Sequence, residues 1–252
     1  MRTVFIGFDQ REEAAAAVCA FSIKKFASKD VDIRILQHRE LRAAGLFTRP
    51  WLIEEDGKFR DLRDGKPFSS EFSHTRFLVP ALAPEEESHV LFVDCDFLFL
   101  DDIHKLFALA EDRFAVQCVK VDWKGQEGLK MDGQAQQAYP RKLWSSLVLW
   151  NVKHPANKLC SPYLVNYVPG RDLHNFAWLS DEKLIGGLPH TWNWIEGVTD
   201  QKVGGRSPQA IHFTEGGPWF GEKYMKHPYA GAWLDVRQEM SEAHLLSKKR
   251  EK

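Results

Sequence analysis

The chain has 252 residues, 44% hydrophobic and 27% charged, the composition of a globular protein with a sizeable core. A formal net charge of -1 gives no electrostatic basis for nucleic-acid binding. No apolar run reaches membrane-span length, and the apolar start Thr3 to Phe8 is too short for a signal peptide.

Cys19, Cys95, Cys118 and Cys160 lack metal-ligand or redox spacing and read as reduced core thiols of a cytoplasmic protein. With no linker, repeat or low-complexity segment, one α/β domain over residues 1–252 is expected.

In chain order, Thr3 to Phe8 reads as a first strand, stopped by Asp9-Gln10-Arg11. Glu12 to Phe26 follows as a helix, acidic in its first turn and with Lys24 and Lys25 in its last. Val31 to Leu36 alternates as a second strand, and strand–helix–strand at this spacing predicts a parallel pair. Two Asp-Gly turns, Asp56-Gly57 and Asp64-Gly65, predict a small hairpin between Leu46 and Pro67. Ser69 is the expected N-cap of a helix running to Pro80.

His89 to Val93 then reads as a buried strand, a short helix starts near Asp102, and Phe114 to Val121 is another strand. Further strands are predicted at Ser146 to Asn151, His190 to Ile195 and Ala210 to Thr214. The tail over 232–252 is amphipathic and ends in Lys248-Lys249-Arg250-Glu251-Lys252. A solvated helix end is its favoured reading, ahead of peripheral contact with an anionic membrane.

The chemistry concentrates at Asp94-Cys95-Asp96, where the buried strand ends. Alternation lets Asp94 and Asp96 point to one side while Cys95 points into the core. Two converging carboxylates need a cation or a hydrogen-bond network, and a divalent ion that itself holds a phosphate is the usual resolution. Taken alone, a D-x-D motif is better read as a cap beside a solvated acid, but here it does not stand alone.

Far downstream, His212 lies in a short apolar strand followed by Gly216-Gly217-Pro218-Trp219. A lone strand histidine is more often a core residue. Here the glycine pair, whose backbone N–H groups can approach phosphate oxygens, favours a ligand. Two carboxylates and one imidazole suit Mn²⁺ on a diphosphate, with Mg²⁺ the second candidate. Trp219 is the candidate sugar platform, whereas core packing is the better reading for most other tryptophans, with Trp192 and Trp194 the further cleft candidates.

Several pieces in order then resemble the retaining nucleotide-sugar glycosyltransferases of family 8, over roughly residues 3–220. They are the first strand with Asp9, Phe72-Ser73-His74-Thr75-Arg76-Phe77-Leu78-Val79-Pro80, Leu91-Phe92-Val93-Asp94-Cys95-Asp96, Leu147-Val148-Leu149-Trp150-Asn151, Asp181-Glu182, and His212-Phe213-Thr214 with its glycines. The resemblance implies a GT-A-like α/β fold of nucleotide-diphospho-sugar transferase type, a mixed, mainly parallel sheet flanked by helices. It also implies a metal-dependent hexosyltransferase that moves a hexose from a UDP-sugar, with retention, to an acceptor that the sequence does not identify, whether glycan, lipid-linked or protein.

By the same resemblance Asp94, Asp96 and His212 are metal ligands, with Asp94 also on the donor. Asp9 contacts uracil or ribose, Arg76 the donor's sugar and phosphate side, and Asp181 the hydroxyls of the transferred sugar. Asp9 as a strand-end turn and Arg76 as a structural ion-pair residue are the competing readings.

The chain departs from the family pattern in four places. Glu182 replaces an amide, which opens donor orientation, a nucleophilic role or a surface position, in that order. Trp144-Ser145-Ser146 replaces a usual asparagine, Arg11 and Glu12 replace a polar-aromatic turn, and Gly217-Pro218-Trp219 stands where a lysine is usual. A non-catalytic carbohydrate- or nucleotide-sugar-binding protein on the same fold is the alternative. A dehalogenase-like phosphatase is disfavoured because a whole strand–helix–strand unit precedes the motif and Leu98 stands where Thr or Val is wanted. A nucleotidyltransferase is disfavoured because Phe8-Asp9-Gln10-Arg11 is not a glycine-rich basic loop.

Overall fold

The computed structural model describes residues 1–55, 57–123, 128–130, 134–136 and 141–250. The strands are β1 (Arg2–Gly7), β2 (Val31–Leu36), β3 (Trp51–Ile53), β4 (Phe59–Asp61), β5 (Pro67–Phe68), β6 (His89–Val93), β7 (Phe97–Phe99), β8 (Val116–Cys118), β9 (Gly128–Lys130), β10 (Gln134–Gln136), β11 (Leu147–Asn151), β12 (Ile185–Gly187) and β13 (Ala210–His212). The α-helices are α1 (Glu13–Phe26), α2 (His38–Ala43), α3 (Val79–Leu82), α4 (Ile103–Phe107), α5 (Pro162–Tyr167), α6 (Gly170–His174) and α7 (Ala230–Arg250).

A six-stranded sheet among the described residues runs in the order β12-β8-β11-β6-β1-β2. β1 is parallel to both β2 and β6, β12 is parallel to β8, and β11 is antiparallel to β6 and β8. β6 is central because all five of its residues are buried, each apolar side chain contributing about 1.5–3 kcal/mol. The chain leaves β1 to form β2 on one side and returns with β6 on the other. That reversal opens a crevice at the carboxyl ends of β1 and β6, where Asp9 and Asp94 stand.

A separate antiparallel ladder pairs β13 with β7, setting His212 opposite Phe97. The third unit, the antiparallel sheet β3-β4-β5, is held by edge-on rings: Trp51 lies 4.9 Å from Phe59 and 5.3 Å from Phe68. Buried Arg49 ties it to the body of the protein. It pairs with Asp61 of β4 and donates to the carbonyls of Val165 and Val168 around the end of α5.

Most elements fall where the sequence placed them, with differences of physical origin. The expected helix from Ser69 to Pro80 is only a 3-10 turn over Thr75–Leu78 running into the four-residue α3. Pro80 stands in the first turn of α3, where a proline is tolerated. The expected strand His190 to Ile195 is a 3-10 turn over His190–Trp192, followed by a single bridge from Trp194 to Ile211. The hairpin between Leu46 and Pro67 is present as β3-β4, although Asp56 of its turn lies outside the described residues.

Residues 251 and 252 of the basic tail also lie outside them. The described tail is α7, with Trp233 and Val236 packed among Val18, Leu98, Ile211 and Phe213. The four cysteines are free and buried. Among the described residues no helix is long and apolar enough to cross a membrane.

Candidate metal and donor site

Asp94 and Asp96 lie in the turn that follows β6, and Cys95 between them is fully buried. The β7–β13 ladder supplies the third group. His212 is opposite Phe97, Phe213 N–H donates to the Asp96 carbonyl at 3.0 Å, and the His212 ring stacks on Phe97 at 4.4 Å between centroids. One ligand atom from each of Asp94, Asp96 and His212 then lies within 4.8 Å of the others. An oxygen–oxygen–nitrogen set at this separation can hold a divalent ion of the manganese or magnesium type.

The imidazole is aimed by a buried hydrogen-bond chain. Asn193 Nδ2 donates to Ser146 Oγ at 3.0 Å, and Ser146 Oγ donates to the Leu143 carbonyl at 2.6 Å. That orientation turns Asn193 Oδ1 to His212 Nδ1 at 2.9 Å, so Nδ1 carries the proton and Nε2 faces Asp96 Oδ2 at 3.3 Å. A ring nitrogen and a carboxylate oxygen placed face to face at this distance can share a cation. The three groups therefore fit a bound ion.

Arg76 Nη1 binds Asp94 Oδ1 at 2.7 Å and the Ser145 carbonyl at 3.0 Å. Its guanidinium lies 5.0 Å from the Phe72 ring and 5.3 Å from that of Phe92. Glu12 is buried close by and accepts from Cys95 Sγ. Burial foremost, and then the charges of Asp96 and Asp9, push its carboxyl well above the usual range and favour the neutral acid.

A cleft of about 560 Å³ opens over these groups. Asp94, Asp96, His212, Arg76 and Lys142 are among its lining residues, as are Asp61, Phe68, Ser70 and His74. Burial first, and then the Arg49 charge, lower His74 to about 3. Although His74 lies 3.6 Å from Asp61, the contact is one with a neutral ring and not an ion pair near pH 7.

No protein-family model matches the sequence. Protein CDI of Arabidopsis thaliana is 42% identical over 238 residues, covering 94% of this chain and 86% of that protein. The chain belongs to the Protein CDI family.

Solved structures show which fold this CDI-family chain has. The galactosyltransferase LgtC, solved with donor and acceptor sugar analogs, matches with a TM-score of 0.59 at 14% identity, over 94% of this chain and 95% of its own. The bifunctional glycosyltransferase WbbM matches at 0.54 and 15% identity over 93% of this chain; the chain spans about half of WbbM, 51%. GlyE of Streptococcus pneumoniae TIGR4 gives 0.54 and 14% identity, over 94% of this chain and 60% of its own. At such identities the likeness is one of fold, and that fold is GT-A.

In this CDI-family chain the remaining sequence candidates lie apart from the cluster. Asp9 is fully buried, and its carboxylate accepts from Arg11 Nε at 2.9 Å, Arg11 Nη2 at 2.6 Å and the Glu71 N–H at 3.1 Å. It caps the turn after β1 and does not line the cleft. Gly216, with φ of 99°, and Gly217 leave room for aromatic rings. A Cβ at Gly216 would stand 2.7 Å from Tyr224, and one at Gly217 would stand 2.2 Å from Trp219. Trp219 packs between Phe213 and Trp233 at 5.7 and 5.4 Å, and buried Trp192 and Trp194 belong to the core.

Asp181 caps its own 3-10 turn by accepting from the Lys183 N–H, and Glu182, 84% exposed at its side chain, pairs with Arg141. Neither lines the cleft among the described residues. Sequence reasoning passed over Asn193 and Lys142. Asn193 lay inside a segment read as a strand, and Lys142 carries no motif at all.

Proposed function

We propose that the protein is a retaining glycosyltransferase of the family 8 type, moving a hexose from a UDP-sugar to a glycan, lipid-linked or protein acceptor. The observation that carries this reading is the convergence of Asp94, Asp96 and His212 at the crevice of a GT-A fold, with Arg76 on Asp94. Asp94, Asp96 and His212 would hold a divalent ion, Mn²⁺ by the imidazole's preference, with Mg²⁺ the other candidate. When bound, such an ion supplies charge neutralisation for the donor's diphosphate.

The chain's own residues do the rest. Asn193 keeps the His212 proton on Nδ1, and Arg76 fixes the Asp94 carboxylate while its fork stays at the cleft wall. The neutral His74 and His174 rings line the cleft without adding positive charge that would repel the divalent ion. Asp9, Gly216, Gly217 and Trp219 serve the donor through the elements they hold in place. Asp181 and Glu182 are the proposed sugar-facing pair, with Glu182 orienting the donor.

Melting temperatures with UDP and UDP-sugars, each with Mn²⁺ or chelator, test the reading alongside release of UDP. At about 100 times Kd, linkage contributes ~2.7 kcal/mol. That is a rise of roughly 5–10 °C for a domain of this size. Equal shifts in chelator and in Mn²⁺ overturn the metal assignment. A second reading, nucleotide-sugar binding without turnover, is favoured by the placement of Asp181 and Glu182 outside the cleft lining. Ion-dependent binding with no UDP release decides for it.

A further inference from the structure

Glu12 is a buried acid that the proposed chemistry has not used. It is 3% exposed and lines the same cleft as Asp94, Asp96 and His212. Its Oε2 accepts from Cys95 Sγ at 3.6 Å, whereas Oε1 has no hydrogen-bond partner among the described residues. A buried carboxyl oxygen left in this way costs the fold stability and calls for a reason.

The local structure is committed to placing it there. The Glu12 N–H donates to the Asp9 carbonyl at 2.9 Å, closing the turn that ends β1. Glu12 then stands at the N-cap of α1, yet its side chain makes no cap to that helix. Arg11 beside it is engaged with the Asp9 carboxylate and the Ser69 carbonyl. The residues buried next along α1, Ala15, Ala16, Val18 and Cys19, are apolar. Packing alone would favour an apolar side chain at position 12 as well.

We propose that Glu12 reads a hydroxyl of the nucleotide-sugar, on the ribose or on the hexose, through Oε1. The inference rests on the nucleotide-sugar reading above. Cys95 stands between Asp94 and Asp96, so the Glu12 carboxyl that touches it borders the ion site. With the diphosphate on that ion, the groups flanking it are the two sugar rings, and both carry hydroxyls. A carboxyl accepts a hydroxyl proton in either protonation state. Held neutral by burial and by the charges of Asp96 and Asp9, Glu12 also sets no negative charge against the diphosphate.

The test is titration calorimetry of wild type, Glu12→Leu and Glu12→Gln with Mn²⁺ alone, then in Mn²⁺ with inorganic diphosphate, UDP, UDP lacking both ribose hydroxyls, UDP-glucose and UDP-galactose. Leucine fills the space without a polar atom, so the melting temperature should hold or rise. Mn²⁺ and diphosphate carry no sugar hydroxyl and should bind Glu12→Leu within about twofold of wild type. The ligand whose hydroxyl meets Glu12 should bind Glu12→Leu about five- to tenfold more weakly, the weight of one hydrogen bond. Glu12→Gln, an amide that still donates and accepts, should recover most of that loss. A loss shared by UDP and the UDP-sugars, and absent for UDP without ribose hydroxyls, assigns the ribose. A loss confined to the UDP-sugars assigns the hexose.

Wild type that binds UDP and a UDP-sugar in Mn²⁺, with Glu12→Leu binding both within twofold as well, overturns the role of Glu12 and keeps the nucleotide-sugar reading. Equal losses for Mn²⁺, diphosphate and UDP, or a lower melting temperature in Glu12→Leu, mark a residue serving the fold and overturn it too. Glu12→Gln as weak as Glu12→Leu does the same, because an amide can still take a hydroxyl. Wild type that binds neither UDP nor a UDP-sugar in Mn²⁺ overturns both readings.

Discussion

Asn193→Ala is the sharpest probe of how the candidate metal site is built. Asn193 is fully buried and does two things at once: it accepts from His212 Nδ1 at 2.9 Å and donates to Ser146 Oγ at 3.0 Å. Alanine removes both contacts while leaving Asp94, Asp96 and His212 in place. The His212 ring stays stacked on Phe97, so it keeps its plane but loses the partner that fixes its tautomer. Loss of such a partner typically weakens metal binding 10- to 100-fold, about 1.4–2.7 kcal/mol.

The fold should also lose about 1–3 kcal/mol, since Ser146 Oγ and His212 Nδ1 are left in a buried space without Asn193. Asn193→Asp separates the two effects. A carboxylate still accepts from Nδ1, so Mn²⁺ affinity should stay near wild type even though the donor to Ser146 is gone. Calorimetric Mn²⁺ titration beside urea unfolding reads both quantities. Mn²⁺ affinity within twofold of wild type in a folded Asn193→Ala protein would falsify the reasoning, because His212 would then need no orienting partner or would not be a ligand.

Arg76→Lys keeps a positive charge but loses the guanidinium plane that lies by Phe72 and Phe92 and sets Nη1 on both Asp94 and the Ser145 carbonyl, so Mn²⁺ should bind about tenfold more weakly with ~1–2 kcal/mol of stability lost. Unchanged Mn²⁺ affinity with a large drop in melting temperature would make it a structural ion-pair residue. Glu182→Gln should leave stability within about 0.5 kcal/mol, because the pair with Arg141 is on the surface. Most turnover should survive; near-complete loss with donor binding intact would point to a nucleophile.

Acid should weaken the fold through His74. Its ring protonates near 6.5 in the unfolded chain but only near 3 when folded, so protons favour the unfolded state as pH falls below 6.5. Between pH 7 and pH 5 this amounts to about 2 kcal/mol. Glu12, whose raised value contributes with the opposite sign, makes the difference between wild type and His74→Gln the quantity to measure by urea midpoints. Parallel pH profiles for the two proteins would show that His74 is not held neutral.

How legible the protein was in its sequence varies by element. β1, β2, β6 and β11 were readable because a buried strand writes its burial into a run of apolar residues and a strand–helix–strand spacing dictates parallel pairing. Asp94 and Asp96 were readable too, since alternation across Cys95 is a local property of the chain. Short turns were not. Thr75–Leu78 and His190–Trp192 are short mixed segments whose 3-10 geometry follows from the neighbours they pack on, and composition carries no trace of that.

Local pattern by itself determined the fold class, the buried central strand and the two carboxylates at its end. Tertiary structure alone decided which distant groups join them. The β7–β13 ladder brings His212 to Asp96, and the chain Asn193–Ser146–Leu143 aims its ring. It also set the surroundings of other candidates, burying Asp9 under Arg11 and using Gly217 to admit the Trp219 ring. The physical reason is range. Periodicity and turn chemistry act over a few residues, whereas ladder pairing, buried hydrogen bonds and close ring contacts depend on groups far apart in the chain, which acquire their meaning only once packing brings them within a few ångströms.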